Sequence, residues 1–147
     1  MATLKRQMTQ EDAVMIFRLS GIDFDSVGWA GVAQRITTMT FHMADDLAKE
    51  NDQTLAMYYG DKAQRMLSKL DESGVINDAE MTAEDFVKWF DSERSFDVFG
   101  WVGVVRCIGL YYQYLSKTTG VLVPERKNMY KQMSHKLYWL IELFEEN

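Results

Sequence analysis

A chain of 147 residues, 47 % hydrophobic and 26 % charged, has the balance of a globular domain and not of a disordered tail. Its net charge of −6 argues against a general nucleic-acid binder, which needs a basic face to displace counterions. A single proline, Pro124, few glycines and no stretch of two-residue alternation point to an all-α fold.

The first helix is expected from the sequence MTQEDAVMIF (8–17). Thr9 is its N-cap, Asp12 reaches back from three residues on, and Glu11 favours the positive end of the helix dipole. This helix should end near Ser20 and Gly21. Asp25 is expected to cap a second helix, which carries Gly28-Trp29-Ala30-Gly31 and continues with Val32, Ile36, Met39, Met43 and Leu47 at helical spacing. A third follows over about 53–70, with Met57, Met66, Leu67 and Leu70 as its apolar stripe. Residues 73–80, within DESGVINDAE, read as a linker.

The fourth helix begins with MTAEDFVKWF (81–90), capped by Thr82 with Asp85 three residues on, and should end near Arg94 and Ser95. Asp97 then caps a fifth, carrying Gly100-Trp101-Val102-Gly103 and stopping around TTG (118–120). Its run VFGWVGVVRCIGLYYQYL is long and apolar, but Arg106 in the middle and Asp97 at the start point to a buried helix and not a membrane span. Pro124 suits the first turn of a sixth helix, expected over 124–146 with Met129, Met133, Leu137, Leu140 and Phe144 on its apolar side.

Two stretches are written twice. A shift of 73 aligns Met8, Thr9, Glu11, Asp12, Val14 and Phe17 with identical residues at 81–90, and a shift of 72 lays residues 24–36 over 96–108. Thirteen of twenty-three compared positions are identical, against about one or two by chance. The expected architecture is therefore a six-helix single domain over 1–147, made by tandem duplication of a three-helix unit. The first repeat covers about 8–72 and the second about 81–144, related by a pseudo-twofold.

Candidate chemistry is sparse. The repeated acids Glu11, Asp12, Asp25, Glu84, Asp85 and Asp97 all sit at helix starts, where capping accounts for them, and no Glu-x-x-His motif is present; no metal site or cofactor is expected. His42 and His135 stand in no catalytic spacing with Cys107 or a serine, so the chain reads as non-enzymatic. Arg35 and Arg106, on mainly apolar helices, each need a carboxylate or a route to water. In the Gly-Trp-x-Gly elements, Gly28, Gly31, Gly100 and Gly103 are expected to let helices cross closely, with Trp29 and Trp101 packing at the junction of the repeats. The alternative reading makes that junction a small-molecule or metal site.

Charge is polarised. Residues 45–97 carry fourteen acids against six Lys or Arg, a balance of −8, whereas 106–136 carry six Lys or Arg against Glu125 alone, a balance of +5. Tyr58, Tyr59, Tyr112 and Tyr114 are candidates for exposed contact residues, and Arg126, Lys127 and Lys131 for a basic contact face. The leading expectation is a protein-binding module, with a scaffold or assembly subunit as a further alternative. Its profile resembles that of small phage and mobile-element inhibitors of host machinery, anti-CRISPR proteins among them. A lone cysteine and no signal-peptide pattern fit the cytoplasm; the partner's identity and the oligomeric state are not legible in the residues.

Overall fold

The computed structural model describes residues 5–72, 81–118 and 123–145. These form six helices: α1 (Gln10–Leu19), α2 (Phe24–Lys49), α3 (Gln53–Glu72), α4 (Ala83–Asp91), α5 (Phe96–Thr118) and α6 (Pro124–Ile141). Among the described residues no strand is present, only an isolated bridge between Arg6 and Phe144. The all-α expectation therefore holds, and no described helix is long and apolar enough to cross a membrane. The expected linker, 73–80, lies outside the described residues.

Local chemistry starts the helices. Thr9 caps α1 by accepting the Asp12 N–H at 3.2 Å, and Asp12 Oδ2 accepts the Thr9 N–H at 2.9 Å, a complete capping box. Thr82 likewise accepts the Asp85 N–H at 3.1 Å. Pro124 stands in the first turn of α6. Asp25 and Asp97 do not cap: both lie inside the first turns of α2 and α5, and Asp25 accepts from Arg18 at 2.8 Å. The side chain that holds the start of α2 is Asp23, accepting from Ser26 Oγ at 2.8 Å.

The chain folds into two compact units that do not follow the two halves read from the sequence. One is made of residues 1–26 and 95–147, the other of 27–94. In the first, α1 joins α5 and α6; Ala13, Ile16 and Phe17 are buried with Val104, Val105, Ile108, Leu137 and Ile141 among its core residues. In the second, α4 joins α3 and the greater part of α2. Phe86 lies against Trp29 with ring centroids 5.0 Å apart, and Trp89 donates from Nε1 to the Met66 carbonyl at 3.1 Å. Glu93 accepts from Arg65 at 2.8 Å and from Lys69 at 3.1 Å, which holds its carboxyl below the usual range, the Arg65 hydrogen bond contributing most.

The glycine pairs have a different role from the one expected. Gly28 (φ 64°, ψ 178°) and Gly100 (φ 61°, ψ −170°) break the helical path of α2 and α5 in a backbone region that side chains rarely enter. Each therefore marks a kink instead of a face for helix crossing. Gly31 and Gly103 serve the same feature, because a Cβ there would collide with Val27 and Phe99, the residues just before each kink. Trp29 is buried on Phe86 in one unit, while Trp101 meets Phe96 edge-on at 5.0 Å in the other.

Two apolar stripes also need correction. On α3, Met57 is 67 % exposed and Leu67 is exposed too, and the buried side is Ala56, Lys62, Ala63, Met66 and Leu70. On α6, Met129 is exposed, while Leu137 and Leu140 are buried. Phe144 is buried beyond the helix end, where Glu145 N–H donates to the Arg6 carbonyl at 3.0 Å.

A candidate anion-binding cleft between α5 and α6

Consecutive helices α5 and α6 pack together in the first unit. Gly109 faces Tyr138 and Tyr112 stacks on Tyr130 at 5.8 Å, so partners run in opposite order along the two helices and the pair is antiparallel. They come close together at Gly109. A Cβ at that position would lie 3.1 Å from the Tyr138 ring, and Ser134 Oγ donates to the Gly109 carbonyl at 2.8 Å. The close crossing expected at Gly-Trp-x-Gly is thus made by a glycine that stands alone in CIGLYYQ.

One to two turns from this crossing the helices leave a cleft of about 340 Å³. From α5 it is lined by Gln113, Ser116 and Lys117, and from α6 by Lys127, Lys131, Ser134, His135 and Tyr138. On α6, Lys127, Lys131 and His135 recur every four residues, which places them along one face. Among the described residues no carboxylate lines the cleft, and none is within ion-pair distance of Lys117, Lys127 or Lys131. Three exposed lysines therefore line one small volume, none of them paired with a described carboxylate.

The polar neighbours divide by what they can still donate. Ser134 and Ser116 are buried and spend their hydroxyl protons on the carbonyls of Gly109 and Gln113, at 2.8 and 2.7 Å. Tyr138 is half-buried, and burial pushes its phenol above the usual value, with Cys107 adding to the effect and Arg106 opposing it. It remains a neutral O–H donor at physiological pH. Donors on the cleft are thus the lysines, Gln113, His135 and Tyr138, a set suited to an anion.

Of the residues expected on a contact face, Lys127 and Lys131 line this cleft, and Arg126 is exposed beside them in sequence but outside the lining. Tyr112 is a correction: it is 5 % exposed, held between Tyr111 and Tyr130, and belongs to the core because the helix buries that face against α6. Tyr114 is half-buried. Tyr58 and Tyr59 sit in the other unit, edge-to-face at 5.1 Å, where Tyr58 is 53 % exposed and the buried Lys62 ammonium lies 5.7 Å from its ring. Arg35 donates to the Gly31 carbonyl of its own helix at 3.1 Å.

Sequence reasoning missed Gln113, Ser116, Lys117, Ser134, His135 and Tyr138. The four-residue spacing of Lys127, Lys131 and His135 was the signal for half of the cleft; its other wall depends on which face of α5 meets α6. Among the described residues, no group of three His, Cys, Asp or Glu side chains is arranged to hold a metal. No known protein family, curated protein or solved structure matches the chain.

Proposed function

We propose that the protein is a non-enzymatic binding module that receives an acidic segment of a protein partner in the α5–α6 cleft. The observation that carries this reading is that Lys117, Lys127 and Lys131 line one cleft to which no described carboxylate contributes. A positive cleft steers an acidic partner towards it and is complementary to its charge. The exposed side chains of Trp139 and Leu143, four residues apart on the last turns of the same unit, supply apolar contact of the kind interfaces use.

The repeated sequence elements fit a tandem duplication. α1 and α4 share the Met-Thr-x-Glu-Asp-x-Val-x-x-Phe element, and each packs with the later helices of the opposite half. Such a reciprocal exchange is what two equivalent segments would make. The basic cleft belongs to the second copy alone, since a shift of 72 places Leu55, Tyr59 and Ala63 of α3 where α6 has Lys127, Lys131 and His135. Binding therefore lies where the copies diverged. A cytoplasmic setting suits the single, buried Cys107.

The test is capture from the native host lysate with two baits, the wild-type chain and Lys127→Glu/Lys131→Glu. A partner retained by the first and lost by the second, with helical circular dichroism unchanged, supports the reading. Equal capture by both baits overturns it.

A further inference from the structure

We infer that the anionic group this cleft takes is a phosphoryl group, carried on a phosphorylated serine or threonine side chain of the partner. This rests on the reading above, that the cleft receives an acidic segment, and adds which acid it selects.

The argument is one of charge per volume. Lys117, Lys127 and Lys131 bring three positive charges to the lining of a space of about 340 Å³. That space accommodates a phosphoryl group together with the side chain that carries it. A carboxylate brings a single negative charge, and three would have to enter from three separate residues. A phosphoryl monoester brings about −1.5 to −2 at neutral pH and three acceptor oxygens in one tetrahedral group.

The donors suit that shape. Among the described residues the basic side chains that line the cleft are lysines and His135, and a lysine binds phosphate as a point charge. Ammonium groups are compact point charges with three rotatable donors, and they can approach a tetrahedral anion from several sides. Lys117 stands on α5 across from Lys127 and Lys131 on α6, so the cations flank the space from two walls. Tyr138, also in the lining, is a neutral O–H donor at physiological pH. The hydroxyls of Ser116 and Ser134 are already committed to carbonyls and leave the selection to the other donors.

The experiment is an NMR titration of the isotopically labelled full chain at low ionic strength, with four probes. These are phosphoserine capped at both ends, inorganic phosphate, capped triglutamate and a short single-stranded oligonucleotide. Capped phosphoserine should shift the backbone amides of Ser134, His135 and Tyr138, be displaced by inorganic phosphate, and bind about tenfold more tightly than capped triglutamate, the difference expected when comparable charge is concentrated in one group. Lys127→Ala/Lys131→Ala should weaken it at least as much, while Lys127→Arg/Lys131→Arg should retain binding but narrow the preference over triglutamate. Triglutamate binding as tightly as phosphoserine would overturn the phosphoryl inference and leave the acidic-partner reading standing. The oligonucleotide binding more tightly than phosphoserine at the same amides would assign the phosphate to nucleic acid and overturn the protein source. If no probe moves these amides, both readings fall.

Discussion

Gly109 and Tyr138 touch so closely that the tyrosine ring occupies the space a side chain would need: three ring carbons lie 3.1 to 3.4 Å from where a Cβ would stand. This contact and the Ser134 hydrogen bond to the same glycine hold α5 against α6, and both α6 residues also line the cleft. Gly109→Val should destabilise the chain by about 1–3 kcal/mol, because overpacking must move a ring wedged between two helices. The midpoint of urea unfolding measures it. A change within experimental error would mean that Tyr138 swings aside freely and that the contact does not position the cleft.

The kinks at Gly28 and Gly100 reverse an ordinary expectation. Replacing a helical glycine with alanine stabilises by about 1 kcal/mol. At φ 64° and 61°, with extended ψ, the same change forces a Cβ into a region nearly reserved for glycine. Gly28→Ala and Gly100→Ala should each cost about 1–3 kcal/mol in chemical denaturation. Stabilisation by either would show that the helix runs straight there.

Acid should weaken the N-terminal cap of α1. Asp12 accepts from Arg6 and from Thr9, and its carboxyl is held at about 2 against an ordinary 3.8, the Arg6 hydrogen bond being the largest cause. A carboxylate favoured as the anion in the folded state contributes fully above its unfolded value. That contribution is lost as pH falls from about 4 towards 2. In Asp12→Asn the part of the acid-induced loss belonging to this site should vanish, seen as a shallower fall of the thermal midpoint across that window. An unchanged slope would remove Asp12 from the account of acid stability.

The two packing units predict which fragments can fold. Residues 27–94 contain α4 with α2 and α3, so Phe86, Trp89 and Phe90 remain against Trp29 and Met66. Residues 1–75 follow the sequence repeat but lose those aromatics. The fragment 27–94 should unfold cooperatively on heating, whereas 1–75 should show a broad, non-cooperative loss of helix. The opposite order would mean that the halves, not the units, are the folding entities.

What could be read without coordinates was local. Thr9, Asp12, Thr82 and Pro124 announce helix starts because a cap involves only the first turn, and all four act as their spacing implies. The six helices, their approximate limits and the basic character of 106–136 follow from periodicity and counting. Lys127 and Lys131 could be named as a contact face because their four-residue spacing lies within one helix.

Everything that depends on which surfaces meet was decided by tertiary packing. Tyr112 looks in sequence like Tyr111 and Tyr114, and it is the placement of Tyr130 that buries it. Gly28 and Gly109 are the same residue in similar apolar helices, yet one bends the backbone and the other admits a neighbouring ring. The assignment of α1 to the unit of α5 and α6, and of α4 to that of α2 and α3, joins residues far apart in sequence, 57 positions for Trp29 and Phe86 and more than 75 for α1 and α5. Hydrophobic periodicity says that a helix has a face to bury, but the burial energy is non-directional and does not name the partner. The second wall of the cleft, with Lys117, came from that choice of partner.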